Sequence, residues 1–348
     1  MVLMSRYVVL QKKDLDKFIE RLASKRKVMA PVAQGYKNYA FEEVKKASQI
    51  SLQYIPTILP PKKYFMPQRE TIQRFDKGKC VWEAVVNGSE EMVLFGVHTC
   101  DLAGIKFLNK VMGSDPKDAN YLARQGKIAV IGYECNDYCD EFASCAVMGN
   151  HVPNGGYDLL LTELDGTFLV HVDSKAGEKI VKETGVFSDA GENEKNQLDV
   201  LRKKKEKIFK PEVNVTRDEL KPLFEKSFGS VVWEDLNKRC VACNNCTTVC
   251  PTCYCFDIKD DLDLNLTTGC RTRVWDGCQT EDFAKVAGGE NFREKRGHRQ
   301  RHRYNRKFNY SIDQYDVYSC TGCGRCTRAC MANISLKETI NELAKGSK

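Results

Sequence analysis

The pattern of apolar and polar positions predicts an α/β arrangement in the first half of the chain. Met92–Val97 and Ile128–Gly132 are continuous apolar runs of strand length. Between them, Asp101–Met112 places its apolar side chains on one helical face. Because the order is strand, helix, strand, the two strands are predicted to be parallel neighbours in a βαβ unit. Leu159–Thr162 and Phe168–Val172 flank an Asp-Gly turn and predict a hairpin.

Helical periodicity lies on both sides of this unit. Asp14–Leu22 predicts an amphipathic helix. The segment from Ala176 to Phe228 has a helical, highly charged pattern, and its basic run Arg202–Lys205 is predicted to be a solvated helix face. Gly229 and Ser230 follow. We therefore predict two domains, residues 1–228 and residues 229–348.

Composition restricts the class of protein. The 348 residues leave room for two cores, and 42% hydrophobic and 29% charged residues are typical of a globular protein. Its 17 cysteines fall short of the density that marks small disulfide scaffolds, and the chain is too long to be one. No secretory signal is predicted in Met1–Leu10, and no apolar stretch is long enough to span a bilayer. The predicted location is a reducing, anaerobic cytoplasm, where thiols stay available as ligands.

Two cysteine runs of identical spacing lie in the last third of the chain. One extends from Cys240 to Cys250 and the other from Cys320 to Cys330, each with gaps of two, two and three residues. In bacterial ferredoxins this spacing places three thiolates on one [4Fe-4S] cluster and the fourth on the other. The predicted ligand sets are Cys240, Cys243, Cys246 and Cys330, and Cys320, Cys323, Cys326 and Cys250. A zinc site would explain one such run but not two equal ones.

The surroundings of these clusters are predicted to be mainly helical. About seventy residues separate the runs, and they show no clear two-residue alternation. Gly322 and Gly324 suit tight loops whose backbone N–H groups point at a cluster. The predicted fold class is α+β, with an N-terminal α/β domain followed by a mainly helical two-cluster ferredoxin domain.

Four further cysteines predict a third [4Fe-4S] site. Cys100 and Cys135 each follow a strand of the βαβ unit, so both thiols are expected at the same edge of the sheet. Cys100 also begins a helix, where a thiolate is favoured. Cys139 and Cys145 lie in the loop just beyond. The alternative is that some of these cysteines are small buried hydrophobic residues.

The remaining cysteines permit several interpretations. Cys253, Cys255, Cys270 and Cys278 could form a further metal site, a redox-active pair or packing around the clusters, and their spacing fixes no geometry. Cys80 is predicted to be structural. Cys246, Cys250 and Cys253 match the radical-SAM spacing, but the ferredoxin runs already use two of these thiols.

The sequence lacks the motifs of several other cofactor and nucleotide sites. It has no G-x-G-x-x-G after a strand, no Walker A sequence, no adjacent Cys-Cys pair and no Cys-x-His pair of a Rieske centre. One-electron carriers without a recognisable site for chemistry predict a relay between partner subunits, with no catalytic residues of its own.

Net charge does not indicate nucleic acid. The formal charge of +7 falls to roughly +3 with two clusters and roughly +1 with three, because each cluster adds about −2. The segment Arg293–Lys307 contains eight Lys and Arg residues. It is predicted to pack against the anionic clusters or an acidic partner, with nucleic-acid binding as the weaker alternative.

Several blocks carry a resemblance to a known family. Gly96–Ala103 (GVHTCDLA), Cys250–Cys255 (CPTCYC), Trp275–Cys278 (WDGC) and Cys320–Cys326 resemble the iron–sulfur beta subunits of NiFe sulfhydrogenases and the corresponding iron–sulfur subunits of anaerobic sulfite reductases. In that family the loop after the second strand carries a Cys-x-Cys, whose first position is Ala143 here.

This resemblance implies two kinds of partner: an FAD- and NAD(P)-binding flavoprotein, and a terminal reductase or hydrogenase of the sulfite reductase, NiFe hydrogenase or heterodisulfide reductase type. Two other functions stay open. One is an iron–sulfur oxidoreductase with its own thiol or metal active site at Cys253, Cys255 and Cys278. The other is a nucleic-acid-binding iron–sulfur protein.

Overall fold

The computed structural model describes residues 6–346. Met1–Ser5, half of the segment in which no signal is predicted, and Ser347–Lys348, the end of the predicted second domain, lie outside the described residues. Within residues 6–346, no helix combines the length and the apolar character needed to cross a bilayer.

Strands and helices alternate along the first half, and short helices dominate the second. The strands are β1 (Arg6–Gln11), β2 (Lys27–Ala33), β3 (Tyr39–Glu43), β4 (Arg69–Asp76), β5 (Val81–Ala84), β6 (Met92–His98), β7 (Ile128–Tyr133), β8 (Leu159–Glu163), β9 (Thr167–Val172), β10 (Phe187–Asp189), β11 (Phe256–Leu262) and β12 (Thr268–Trp275). The α-helices are α1 (Leu15–Ala23), α2 (Lys62–Phe65), α3 (Thr99–Gly113), α4 (Ala119–Gln125), α5 (Lys175–Thr184), α6 (Glu192–Ile208), α7 (Arg217–Lys226), α8 (Val232–Arg239), α9 (Asn245–Thr248), α10 (Arg296–Phe308), α11 (Tyr310–Tyr315), α12 (Arg325–Arg328) and α13 (Leu336–Gly346). Short 3₁₀ helices lie at Lys12–Asp14, Ala47–Gln49, Ser227–Gly229 and Asp282–Ala284.

An eight-stranded mixed sheet in the order β10-β1-β9-β8-β7-β6-β2-β3 forms the centre of the first half. The predicted βαβ unit is confirmed, because β6 and β7 are parallel neighbours joined through α3, with His98 opposite Tyr133. The predicted hairpin is also confirmed as antiparallel β8 and β9. β10, which pairs with β1 at the sheet edge, interrupts the segment that was predicted to be helical throughout.

Helices cover both faces of this sheet. The α1 and α5 side chains pack on the face that contains Val93 and Phe95. The α3 and α4 side chains pack on the opposite face, which contains Leu94 and Val97. Since both faces are buried, the central strands are apolar at consecutive positions, as parallel strands usually are.

A second, four-stranded antiparallel sheet was not predicted. Its order is β11-β12-β4-β5, so it joins strands from before and after residue 228. The mainly helical setting is therefore not confirmed for the insertion between the cysteine runs, which contributes β11 and β12. β11 is exposed along its whole length, so it carries no alternating pattern that the sequence could reveal. The two-domain division stays a prediction.

The basic run Arg202–Lys205 in α6 is only partly the solvated face that was predicted, since Arg202 is half-buried and lies 3.6 Å from the Glu134 carboxylate. Lys203 and Lys204 are exposed, as a solvated face requires. Lys205 is instead 1% exposed and pairs at 2.7 Å with Glu134, which is fully buried. Helices α7, α8, α10 and α13 then pack around Phe224, Tyr304 and Phe308 as a separate core.

Candidate metal centre

The two cysteine runs fold into equivalent loops. Ala242 and Asn244 adopt positive φ angles of 55° and 63°, and the corresponding Gly322 and Gly324 both adopt 74°. Each loop leads into a single helical turn, α9 or α12. The left-handed residues turn the backbone sharply enough for successive cysteines to approach one centre. The two runs of identical spacing thus adopt similar local geometry.

The first predicted ligand set surrounds one small cavity. Cys240, Cys243 and Cys246 line it, together with Cys330 from the other run. The Gln300 side-chain amide donates to the Cys240 sulfur at 3.0 Å, and backbone N–H groups donate to the sulfurs of Cys240 and Cys330 at 3.4 and 3.3 Å. Donors that point at sulfur are typical of thiolate ligands of an iron–sulfur cluster.

The structure also places the thiols of the second predicted ligand set close together. This set consists of Cys320, Cys323, Cys326 and Cys250. Burial, followed by the neighbouring thiols Cys326, Cys250 and Cys323, raises the pKa of the Cys320 thiol. Four mutually close sulfurs disfavour ionisation of one another unless cations bind among them. A cluster core with positive charge fits this donor set, because it turns the thiols into bound thiolates.

Buried cations near these sulfurs provide an independent test of fit. Lys62 is 3% exposed and Arg303 is 7% exposed. Among residues 6–346 neither pairs with a carboxylate, and the Arg303 Nε has no hydrogen-bond partner. Burial lowers the pKa of Lys62, whereas at Arg303 the effect of burial is outweighed by Cys246 and Cys326, which raise its pKa. Since a buried charge needs a counter-charge, the site fits anionic clusters of about −2 each.

A buried ion pair holds the second loop against the α/β sheet. The Arg325 guanidinium donates to both oxygens of Asp101 at 2.7 Å and to the Thr57 carbonyl at 2.6 Å. Asp101 lies in the first turn of α3, directly after Cys100. The pair therefore connects the second cysteine run to the predicted third site.

The structure places the four thiols of the third set near one another. Cys100 and Cys135 follow β6 and β7 at the same sheet edge, as predicted from the parallel pairing. Burial and then Cys135 and Cys145 raise the pKa of Cys139, whose charge also acts on Cys100. A cavity of about 550 Å³ opens beside Cys135 and Cys139.

The third set adjoins the second loop. A Cβ at Gly322 would lie 2.4 Å from the Ser144 carbonyl oxygen, and one at Gly324 would lie 2.7 Å from the Phe142 carbonyl carbon. The loop that carries Cys145 therefore packs directly on the second run. This contact explains why the second run needs glycine at both left-handed positions, where the first run has Ala242 and Asn244.

The remaining cysteines do not form one group. Cys253, Cys255 and Cys278 line a cavity of their own with Cys246 and several basic side chains. Cys270 instead lies in β12, opposite Arg74 and Asp261. Cys80 lies exposed at the turn after β4 with a φ of 54°. In the described part of the chain, no three His, Cys, Asp or Glu side chains are close enough to hold a single metal ion.

The basic segment Arg293–Lys307 forms α10, and one face of this helix points inward. Arg296 donates to the Cys240 carbonyl at 2.8 Å, and Lys307 donates to the Thr252 hydroxyl at 2.8 Å. With Gln300 and Arg303, these residues are spaced four, three and four apart, which is the repeat of one helix face. That spacing could have identified Gln300 from the sequence. Lys62, at the start of α2, is far from α10 in the sequence, so no spacing pattern could have linked it to this site.

Comparison with known proteins agrees with this geometry. The family model described as a 4Fe-4S dicluster domain matches residues 239–334. The chain is 36% identical over 342 residues to sulfhydrogenase 2 subunit beta of Pyrococcus furiosus, covering 98% of this chain and 99% of the relative. It therefore carries [4Fe-4S] clusters in a dicluster domain and belongs to the family of sulfhydrogenase beta subunits.

Proposed function

We propose that this chain is the electron-transfer component of an oxidoreductase complex. It passes single electrons between an FAD-containing, NAD(P)H-linked flavoprotein and a terminal reductase or hydrogenase. The observation that supports this most strongly is the cavity in which Cys330 of one run joins Cys240, Cys243 and Cys246 of the other. A crossed arrangement keeps two carriers within one short piece of protein.

The proposed ligands are the eight cysteines of the two runs. When bound, each [4Fe-4S] cluster supplies a one-electron carrier. The protein then has two tasks, which are to exclude water and to stabilise added negative charge. Arg303 and Lys307 serve the second task, because their charges act on cysteines of both runs.

We also propose a third [4Fe-4S] site at Cys100, Cys135, Cys139 and Cys145. The parallel pairing of β6 and β7 supports it, as does the packing of the Cys145 loop on the second run. Cys139 would take the place of the family cysteine that is Ala143 here. We place the chain in a reducing cytoplasm, a proposal supported by 17 cysteines without a disulfide.

The inward face of α10 favours the relay over nucleic-acid binding. Arg303 is buried, and Arg296 and Lys307 contact the cluster loops, so these charges do not form one exposed stripe for phosphates. If Cys253, Cys255 and Cys278 formed an enzyme active site, the isolated chain should catalyse turnover without its partners.

The test is anaerobic reduction of the iron-loaded chain by NADH or NADPH, followed through the visible iron–sulfur absorption. We expect bleaching only when the flavoprotein that co-purifies from the native complex is added. A matched sample with flavin-free partner should stay oxidised. Bleaching by the nicotinamide without any partner, or none with the intact partner, would contradict the proposal.

A further inference from the structure

The cavity of about 550 Å³ beside Cys135 and Cys139 extends away from the proposed third cluster. Of the four thiols of that set, only these two line the cavity among the described residues, and Cys100 and Cys145 do not. Its volume lies within the range of about 300–1,000 Å³ that is typical of small-molecule sites. His98 and Tyr133, the last residues of β6 and β7, both line it. The cavity therefore opens at the carboxyl ends of parallel strands, where α/β sheets bind ligands.

Aromatic rings form one wall of this cavity. They belong to Tyr39, Tyr54, His98 and Tyr133. The rings of Tyr54 and His98 are stacked with their centroids 3.7 Å apart, and that of Tyr39 lies 6.0 Å from Tyr54. The Tyr54 hydroxyl donates to the Gly96 carbonyl at 3.0 Å, and the Tyr133 hydroxyl donates to the Glu163 carboxylate. Because these two hydroxyls already have partners within the protein, their rings offer the cavity mainly a flat aromatic surface.

Two buried acceptors at the cavity have no partner among the described residues. His98 is 3% exposed, and its Nε2 lies 3.1 Å from the Leu52 carbonyl oxygen. Since a carbonyl only accepts, Nε2 of the neutral imidazole carries the proton, and the unpartnered Nδ1 is an acceptor. The Asn136 amide donates to the Glu163 carbonyl at 3.3 Å, which leaves its buried Oδ1 unpartnered. Unsatisfied buried acceptors are costly, so both atoms call for a ligand that donates.

The charges at the cavity argue against a phosphate group. Among the described lining residues, the acidic and basic side chains are those of Lys37, Asp137 and Glu163. Lys37 and Asp137 are exposed and opposite in sign, and Glu163 pairs with Lys12 at 2.7 Å. A phosphate would thus find no surplus of positive charge, which phosphate sites normally provide. The part of the ligand that enters the cavity is therefore uncharged.

We propose that this cavity binds an uncharged, planar nitrogen heterocycle whose N–H groups donate to His98 Nδ1 and Asn136 Oδ1. The rings of adenine and of isoalloxazine share this chemistry, since each is flat and each carries N–H donors. A ring bound here lies beside Cys135 and Cys139 and hence beside the proposed third cluster. The site goes beyond the proposed relay, which gives this cavity no role.

The test uses the iron-loaded full-length chain under anaerobic conditions. Riboflavin binding is followed by quenching of its fluorescence, and adenosine binding by titration calorimetry. We expect at least one of them to bind saturably, and riboflavin alone or adenosine alone would identify the source of the ring. The matched analogues are 3-methylriboflavin and N6,N6-dimethyladenosine, which keep the ring but lose its N–H donors. The analogue should bind about tenfold more weakly, because it leaves the buried acceptors unsatisfied.

Variants locate the binding on the two acceptors. Asn136→Leu and His98→Phe each remove one acceptor and should weaken binding of the parent ring about tenfold. His171→Phe is the control, because His171 does not line the cavity and its Nδ1 already contacts the Tyr157 hydroxyl at 3.1 Å. Iron content is measured in each variant, so that loss of ligand is separated from damage to the proposed third cluster.

Three results would overturn the proposal. They are no saturable binding of either ring up to about 1 mM, equal affinity for a ring and its methylated analogue, and unaltered binding in Asn136→Leu. The comparison of each ring with its analogue needs no variant, so it decides the question even if a substitution prevents folding. Failure of the flavoprotein to reduce the clusters would leave all of these titrations unchanged.

Discussion

At the scale of single residues, two arginine–aspartate pairs have the same geometry and different surroundings. Arg325 contacts Asp101 through two hydrogen bonds of 2.7 Å, and Arg271 contacts Asp260 through two of 2.7 Å. The side chains of the first pair are 2% and 1% exposed, and those of the second are 39% and 50% exposed. Since water screens only the second pair, removal of one partner has unequal consequences.

Asp101→Asn should destabilise the protein by about 3–5 kcal/mol, because it leaves the Arg325 charge buried without its counter-charge. The measurement is anaerobic denaturant unfolding of the iron-loaded chain. Asp260→Asn is the matched control and should leave the unfolding midpoint unchanged. Equal effects of the two substitutions would show that burial does not decide the role of the first pair.

Gly322, the first left-handed residue in the loop of the second cysteine run, gives another prediction. Gly322→Ala should cost about 2–4 kcal/mol, since it adds a strained positive φ and a clash with the Ser144 carbonyl. Gly289→Ala is the control, because Gly289 has a φ of +85° with nothing within 4 Å of an added Cβ. That substitution should cost only about 1 kcal/mol. Unfolding free energies of the three proteins provide the comparison, and equal losses would mean that the Cys145 loop can move away.

At the scale of elements, α10 illustrates what could be predicted and what could not. Its helical spacing brings Arg296, Gln300, Arg303 and Lys307 to one face, and this repeat is readable from the sequence. The hairpin of β11 and β12 was not predictable in the same way. β11 is fully exposed. β12 pairs with β4, which lies about 200 residues earlier in the chain, and Arg273 of β12 donates to the Glu70 carboxylate of β4 at 2.9 Å. Pairing between distant segments leaves no local periodicity.

Arg303→Met should lower the reduction potential of at least one cluster by about 60 mV, a tenfold change in a one-electron equilibrium. The substitution removes a buried positive charge that stabilises the added electron. Arg301→Met on the same helix is the control, because Arg301 lies 3.8 Å from the ring of Phe228, which is 49% exposed. The reduction potentials of the clusters in both variants are measured by redox titration monitored by electron paramagnetic resonance. An unchanged potential in Arg303→Met would argue against electrostatic tuning by α10.

At the scale of the whole molecule, the thiol groups form a connected series. In the proposed ligand sets the first and second groups exchange one cysteine each, and the loop of the third packs on the second through Gly322 and Gly324. The cysteine spacing predicted the first two groups directly. The third was predicted only by combining the order of strands with the positions of Cys100 and Cys135, because its members are scattered along 46 residues in the described chain, from Cys100 to Cys145.

Iron content tests the series as a whole. The native chain should bind about twelve irons, and Cys145→Ala should reduce this to about eight. Cys80→Ala should have no effect, since Cys80 is exposed at a turn. Anaerobic colorimetric iron analysis per chain is sufficient. About eight irons in the native chain, unaltered by Cys145→Ala, would exclude the third cluster and leave the first two.

The four-stranded sheet has a consequence for how the protein is made. Arg273 and Glu70 are 203 residues apart, yet they meet across neighbouring strands. While the ribosome is still synthesising the middle of the polypeptide, β4 has only β5 beside it and presents an open edge, the kind of edge on which chains aggregate. The sheet can therefore close only after β11 and β12 have been synthesised, and until then the edge of β4 needs protection from other chains.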